Sequence, residues 1–394
     1  MNTIAIPESD AVTQVVRVDP HKGQRIGAVS SQWFSRPDDQ RFTSLEDLET
    51  AVMARSSNAT QKIIDVKDIS ITANASDSEG LKVEFNNEQM DSTHWSFGQL
   101  SGLAGAPSGY LRKLPSVIAG INLQYGLQNL RTENVKMFYN SDNQQLLAAT
   151  GTEYGRVFDW ELVKAVRKIA GNGVGDTRWK VPGAINWSNM TYNPFVDITK
   201  DTTTLYASDR DVFMFLVDDT RPIEIGKLDN GDPDYVFRGF YVWNSEVGSK
   251  TLGISTFLFR AVCQNRNIWG VQDISEVTIR HSRNAPARFA HEVAPALLEY
   301  SNASDKNIII GIKNAKDTIV ARTKDDQMKF LGTQGFSLKQ ADKIIQRVVN
   351  EEGHDPRSIW DFVQGISAVA RDIGHTDDRI SMERQAGNLL KKVA

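Results

Sequence analysis

Cysteine is almost missing from this chain. Cys263 is the only one in 394 residues, which excludes an internal disulfide and suits a reducing compartment. Its place inside an apolar run predicts a small buried hydrophobe rather than a nucleophile. Long apolar runs are missing too: none approaches the roughly 18 residues of a membrane span, and the N-terminus lacks the basic-then-apolar pattern of a secretion signal. Neither secretion nor membrane insertion is expected. The nucleotide-loop signature is also lacking, since the glycines of Gly171 to Gly175 precede no helix and no Gly-Lys-Ser/Thr follows. His281 and His291 have no third ligand at zinc spacing, and the His291-Glu292 pair lacks a second histidine because position 295 is a proline. No cofactor is therefore expected. The net charge of -4 excludes a uniformly basic surface, and no lysine-rich groove is evident.

What the chain does contain is ordinary globular material, 40% hydrophobic and 24% charged, enough for one main α+β body with appended segments. The organising stretch is Tyr235 to Gly270. Val236 to Trp243 is rich in aromatic and β-branched residues, a polar turn follows at Asn244 to Gly248, and Leu252 to Val262 is a second strand-like run. This predicts a hairpin at the centre of a mixed, mostly antiparallel sheet, with Gly248 closing the turn at positive φ.

Around it, residues 1–60 read as a loosely ordered arm holding one short helix capped by Ser44, residues 61–330 as the α+β core domain, and residues 331–394 as a helical region packed on it. Within the core, Asp65 to Ala73 and Leu81 to Phe85 predict a hairpin, and Val135 to Tyr139 with Gln145 to Thr150 a further strand pair. Thr203 to Ala207 and Val212 to Val217 read as strands as well. Phe97, Leu100, Leu103 and Ala104 share a helical face. Ser108 starts a second short helix that Pro115 cuts, so an ordinary packed pair is expected rather than a helix-turn-helix. Ile118, Ile121, Leu123 and Leu127 are predicted core positions of the next helix. Asp159 is the expected cap of a helix with Leu162, Val163, Val166 and Ile169 inward. At the C-terminus, Ser337 caps one helix and Asp355-Pro356 starts another. A third spans Arg379 to Val393.

Charge is unevenly placed. Residues 201–246 hold ten acids against four Lys or Arg, whereas residues 260–288 hold five arginines against Asp273 and Glu276. The densest polar cluster is Arg280 to His291, where a strand hands over to a helix expected to run to about Tyr300. Arginine forks at such a junction suit phosphate oxygens. Arg260, Arg266, Arg280, Arg283 and Arg288, with His281, are the candidate phosphate contacts. Trp243 and Trp269, with Trp187 and Tyr192, are candidate stacking surfaces for bases. The competing expectation is that these arginines pair with the chain's own acids. Asp218-Asp219, at a strand end, is the one place a divalent ion for phosphodiester hydrolysis would be sought, although a solvated turn has the same composition.

The segment Phe237 to Asn265, F-R-G-F-Y-V-W-N-S-E-V-G-S-K-T-L-G-I-S-T-F-L-F-R-A-V-C-Q-N, resembles the defining core of the DUF932 family of phage- and plasmid-like proteins. So do Ser108 to Pro115, the loop Gly151 to Val157, and V-A-R-D-I at 369–373 with E-R-Q-A-G-N-L-L at 383–390. Where members often carry an arginine and a serine ahead of the tyrosine, this chain has Leu147-Ala-Ala-Thr-Gly-Thr-Glu-Tyr154 and keeps only the tyrosine. The resemblance implies an intracellular protein of a mobile element in a bacterial host, acting on or near DNA, with single strands the expected form, and it carries no catalytic residues across. A non-enzymatic nucleic-acid-associated protein is thus the leading expectation. The alternatives are a protein that binds a host factor or assembles with itself, for which the acidic tract is suited, and a Mg-dependent nuclease.

Overall fold

The computed structural model describes residues 36–73, 81–131, 133–182, 197–228, 231–260, 266–267, 276–373 and 376–393. Its strands and α-helices are numbered in chain order. One sheet runs β1 (Arg41–Phe42), β9 (Leu205–Ala207), β10 (Val212–Asp218), β12 (Pro233–Asn244), β13 (Leu252–Arg260), β14 (Arg266–Asn267). Beside this path β8 (Trp179–Lys180) pairs with β10, β11 (Ile223–Lys227) with β12, and β15 (Glu276–Ile279) with β13. Every pairing in it is antiparallel. The expected hairpin, β12–β13, lies at its centre, and Gly248 closes the turn at φ +89°.

A second sheet runs β2 (Ala59–Asp65), β6 (Asn134–Asn140), β7 (Gln145–Thr150), β5 (Glu88–Ser92), β4 (Leu81–Phe85), β3 (Ser70–Ala73), with β5 and β7 parallel. The fold is therefore mixed and mostly antiparallel, as the sequence predicts, but the strands divide between two sheets.

Each layer of helices is set by an apolar stripe. On one face of the first sheet, Met214, Leu216, Phe240 and Val242 meet Leu45, Leu48 and Val52 of α1 (Leu45–Ser56), Leu162, Val163 and Val166 of α5 (Asp159–Ala170), and Leu297 of α7 (Ala294–Asn302). The opposite face carries an aromatic layer of Tyr206, Phe213, Phe215, Tyr241, Phe257 and Phe259. On the second sheet, Phe97 and Leu100 of α2 (His94–Leu103), Leu111 of α3 (Ser108–Leu111), and Ala119, Leu123 and Leu127 of α4 (Ser116–Gln128) cover Val83, Phe85 and Met137. Burying one such side chain is worth roughly 1.5–3 kcal/mol, so each layer docks firmly.

The C-terminal helices are α8 (Lys306–Asp317), α9 (Lys324–Thr333), α10 (Leu338–Glu352), α11 (Ile359–Arg371) and α12 (Thr376–Leu390). They share one core with Ile223, Val236 and Leu258 of the first sheet. Ser337 caps α10 as expected, its hydroxyl accepting from the Gln340 N–H while Gln340 returns a bond to the Ser337 N–H. Ser44 likewise caps α1 through the Asp47 N–H.

Several expectations change. Residues 36–60 of the presumed arm are packed: Arg36 is buried, β1 pairs with β9, and α1 enters the core. Residues 1–35 lie outside the described residues, as does Cys263. Ile118 and Ile121 are 39% and 64% exposed, not core. Their helix is apolar on every side, so periodicity does not choose its buried face. Asp159 is the first residue of α5 rather than its cap, which is Phe158. Ser358, not Asp355, caps α11. The helix expected to follow the strand and run to about Tyr300 is divided into α6 (Ala285–Arg288), a π-helical turn Phe289–Val293, and α7. Pro295 supplies a cause, since it cannot donate to the carbonyl one turn back.

Candidate functional site

The turn Asn244 to Gly248 is where the two sheets are fastened. Val247 projects into an apolar cluster with Phe138, Leu147 and Ala148 of the second sheet, against Trp95 and Phe158. Its carbonyl accepts from the Trp95 indole N–H at 3.0 Å and from Gln99 Nε2 at 2.8 Å. Gln99 Oε1 accepts in turn from the Ala149 N–H of β7 at 3.0 Å. One α2 side chain thus bonds both the turn and the second sheet.

Beneath this lies a buried polar centre. Asn244 Nδ2 donates to Asp159 Oδ1 and to the Val157 carbonyl, both at 2.8 Å. The Asp159 N–H donates to Glu246 Oε2 at 3.1 Å. Arg156 donates to the Glu246 carbonyl and, at 3.0 Å, to Gln61 Oε1 of β2, with its guanidinium 4.0 Å above the Phe138 ring. The Tyr154 hydroxyl donates to the Ser245 carbonyl at 2.9 Å, and its ring stacks on His281 at 5.0 Å.

Burial governs the charges here. It raises Asp159 well above the usual carboxyl range, with Glu246 adding to the effect, and it raises Glu246 against the pull of Arg55, the Asp159 N–H and Arg156. Burial also pushes Arg156 down to about 10. His281 is lowered by burial, against its bond to Gly155, with Arg156 lowering it further. Because a carbonyl only accepts, His281 Nδ1 carries the hydrogen toward the Gly155 oxygen at 3.1 Å, leaving Nε2 bare. Asp159 Oδ2, Asn244 Oδ1, Arg156 Nη2 and His281 Nε2 are buried without a hydrogen-bond partner among the described residues. The bonds that are made run between these side chains, to nearby backbone and to Gln61 of β2, so the arrangement acts as a fastening between sheets.

The sequence-predicted contacts are placed differently. Arg260 is 4% exposed and grips Asp234 with two bonds, 2.9 and 3.0 Å, while reaching Glu352 at 2.7 Å. A phosphate reaching it must displace two carboxylates. Arg283 pairs with Glu153 at 2.6 Å and Arg288 with Glu292 at 2.7 Å. His281 is buried under Tyr154, whereas Arg280 and His291 are exposed. The Trp243 indole is half-buried, stacked on Tyr241 and bonded to Thr251 Oγ1 at 3.4 Å. Arg266 stands on β14, and Trp269, Trp187 and Tyr192 fall outside the described residues. Asp218 binds Arg178 at 2.6 Å and Asp219 binds Lys180 at 2.9 Å. No group of three His, Cys, Asp or Glu that could hold a metal occurs among the described residues, and no helix there is long and apolar enough to cross a membrane.

A second surface carries its signal in the composition of the sequence rather than in any motif. Ser92 to Thr132 is the longest stretch of the chain without an acidic residue, and it holds Arg112, Lys113 and Arg131. It folds into α2, α3 and α4, and it displays Tyr110 and Tyr125 at 59% and 71% exposure. The residues of the polar fastening gave no comparable signal, because Arg156, Asp159 and Glu246 meet only through the fold.

No family model matches the chain, and no curated protein or solved structure matches it either.

Proposed function

We propose that this chain is a nucleic-acid-associated binding protein that takes single strands on the acid-free face of α2, α3 and α4. The observation that carries the reading is two widely exposed tyrosines on the longest acid-free stretch of a chain whose net charge is -4. A single strand needs aromatic faces on which bases stack and a surface that does not repel phosphate. Tyr110 and Tyr125 supply the first, and Lys113 and Arg131, both exposed, supply positive charge with no acid in the same stretch. The self-paired Arg260, Arg283 and Arg288 become secondary, while Arg280 is exposed and makes no ion pair among the described residues. The setting in a phage or plasmid rests on the motif resemblance alone.

The test is fluorescence anisotropy with a labelled single-stranded oligonucleotide at two salt concentrations. With Lys113 and Arg131 in play, the slope of log K against log salt should be shallow, about -1.4 for the two of them. Tyr110→Ala with Tyr125→Ala should weaken binding tenfold or more, since stacking is worth roughly 1–3 kcal/mol per base. Arg283→Ala with Arg288→Ala should change it little. Absence of wild-type binding at low salt would remove the reading. A protein-contact role would then lead, because Ile118, Ile121 and Tyr125 form an exposed apolar row on α4.

A further inference from the structure

A cavity of about 580 Å³ lies between β11, the far ends of β12 and β13, and the start of α11. That volume falls within the range of small-molecule sites. Its floor is a charge network. Asp234 is held by Arg260 and by Lys316 at 3.7 Å, and Glu352 is held by Arg260. Both cations stand over the Trp360 ring, at 5.9 and 5.7 Å.

The remaining lining acids are also engaged. Glu351 pairs with Arg347 and Arg371. Asp361 accepts the Arg357 and Ser358 N–H groups, both at 2.8 Å, at the start of α11. The cations on the rim are not. Lys227 and Arg357 line the same cavity, are exposed, and make no ion pair among the described residues. Asp234, Glu351 and Glu352 are therefore paired with cations and Asp361 is bonded to backbone N–H groups, while Lys227 and Arg357 are paired with no acid among the described residues. Ile319, half exposed at 50%, provides an apolar lip beside them.

We infer that this cavity binds a small organic phosphate, whose dianionic phosphate is held by Lys227 and Arg357 and whose carbon body rests against Ile319. Two cations without an acidic partner match a phosphomonoester dianion better than a single carboxylate, and an arginine fork fits phosphate oxygens in pairs. Lys316 reinforces the selection. Burial lowers its pKa against the pull of Asp234, with Arg260 lowering it further, so an added anion favours its charged form. The site is separate from the face of α2 to α4, and neither reading requires the other.

The probes are inorganic phosphate, glucose 6-phosphate and adenosine 5′-monophosphate, with glucose and adenosine as uncharged controls, titrated by calorimetry and thermal shift. Wild type should bind the phosphate esters more tightly than inorganic phosphate and ignore the controls. Lys227→Ala with Arg357→Ala should lose at least about tenfold in affinity. Its melting temperature without ligand should not change, because both side chains are at the surface. It should also bind the oligonucleotide as wild type does, which separates failure here from failure of the single-strand reading. No wild-type binding of any phosphate probe, or equal binding by the double variant, overturns the assignment. Preference for inorganic phosphate over both esters would mean an adventitious ion only.

Discussion

The indole of Trp243 covers the backbone of Gly253, its direct partner across the central hairpin. A Cβ placed on Gly253 would stand 2.1 Å from the ring carbon Cζ2. Gly239 and Phe257 repeat the arrangement four residues away on β12, with the same 2.1 Å approach. Glycine is required at 253 by the ring opposite it, since its φ is not positive. Gly253→Ala should therefore cost about 1–3 kcal/mol by overpacking. In a Trp243→Ala background the same change should be neutral or mildly stabilising, because alanine restricts the unfolded chain. Urea unfolding of the four proteins measures the coupling, and equal costs in both backgrounds would contradict the packing described.

Arg36 and Asp211 are 175 residues apart and form a buried bidentate pair at 2.7 and 2.9 Å. Burial pushes Asp211 up, but the charge and hydrogen bonds of Arg36 outweigh it and hold the carboxyl far below its usual range. Removing either partner strands a buried charge, so Arg36→Ala or Asp211→Ala should each cost about 3–5 kcal/mol. The double variant should cost much less than the sum. Additive losses would mean the pair is not coupled.

These contacts separate what the sequence discloses from what it hides. The central hairpin was readable because aromatic and β-branched runs flank a polar turn, and α10 because Ser337 and Gln340 form a capping box ahead of a clear stripe. Both signals are local. Arg260 finding Asp234 and Glu352, or Arg178 finding Asp218, depends on chain paths that no local pattern encodes. Those pairings decide whether an arginine is available to a ligand, so the expected phosphate cluster was legible as composition and not as a surface. The division into two sheets was hidden for the same reason.

The exposed row on α4 gives a simple stability test. Ile118 and Ile121 point outward, so Ile118→Ser with Ile121→Ser should stay within about ±0.5 kcal/mol of wild type per site. Leu123→Ala on the buried side should cost about 2–5 kcal/mol. A large loss from the outward pair, seen in chemical unfolding, would place that face in a core.

The last test concerns proton linkage at the polar fastening. Asp159 binds its proton more tightly in the folded chain than in the unfolded one, because burial first and Glu246 second disfavour its charge. Folding therefore takes up a proton here. The stability this group contributes is complete below its ordinary value of 3.8 and is lost as pH rises through the raised folded value. Asp159→Asn is neutral at every pH and keeps an oxygen to accept from Asn244. Relative to wild type, the variant should gain stability as pH rises above the ordinary value of 3.8 toward the raised folded value, with a slope no steeper than roughly 1.4 kcal/mol per pH unit for one proton. Glu246→Gln should show the same sign, since burial raises that group also. Unfolding free energies across the range, for both variants against wild type, measure it directly. A difference that stays flat with pH would mean that Asp159 ionises alike in the folded and unfolded chain, and a difference that moves toward wild type would mean that Arg55 and Asn244 outweigh burial at this carboxyl.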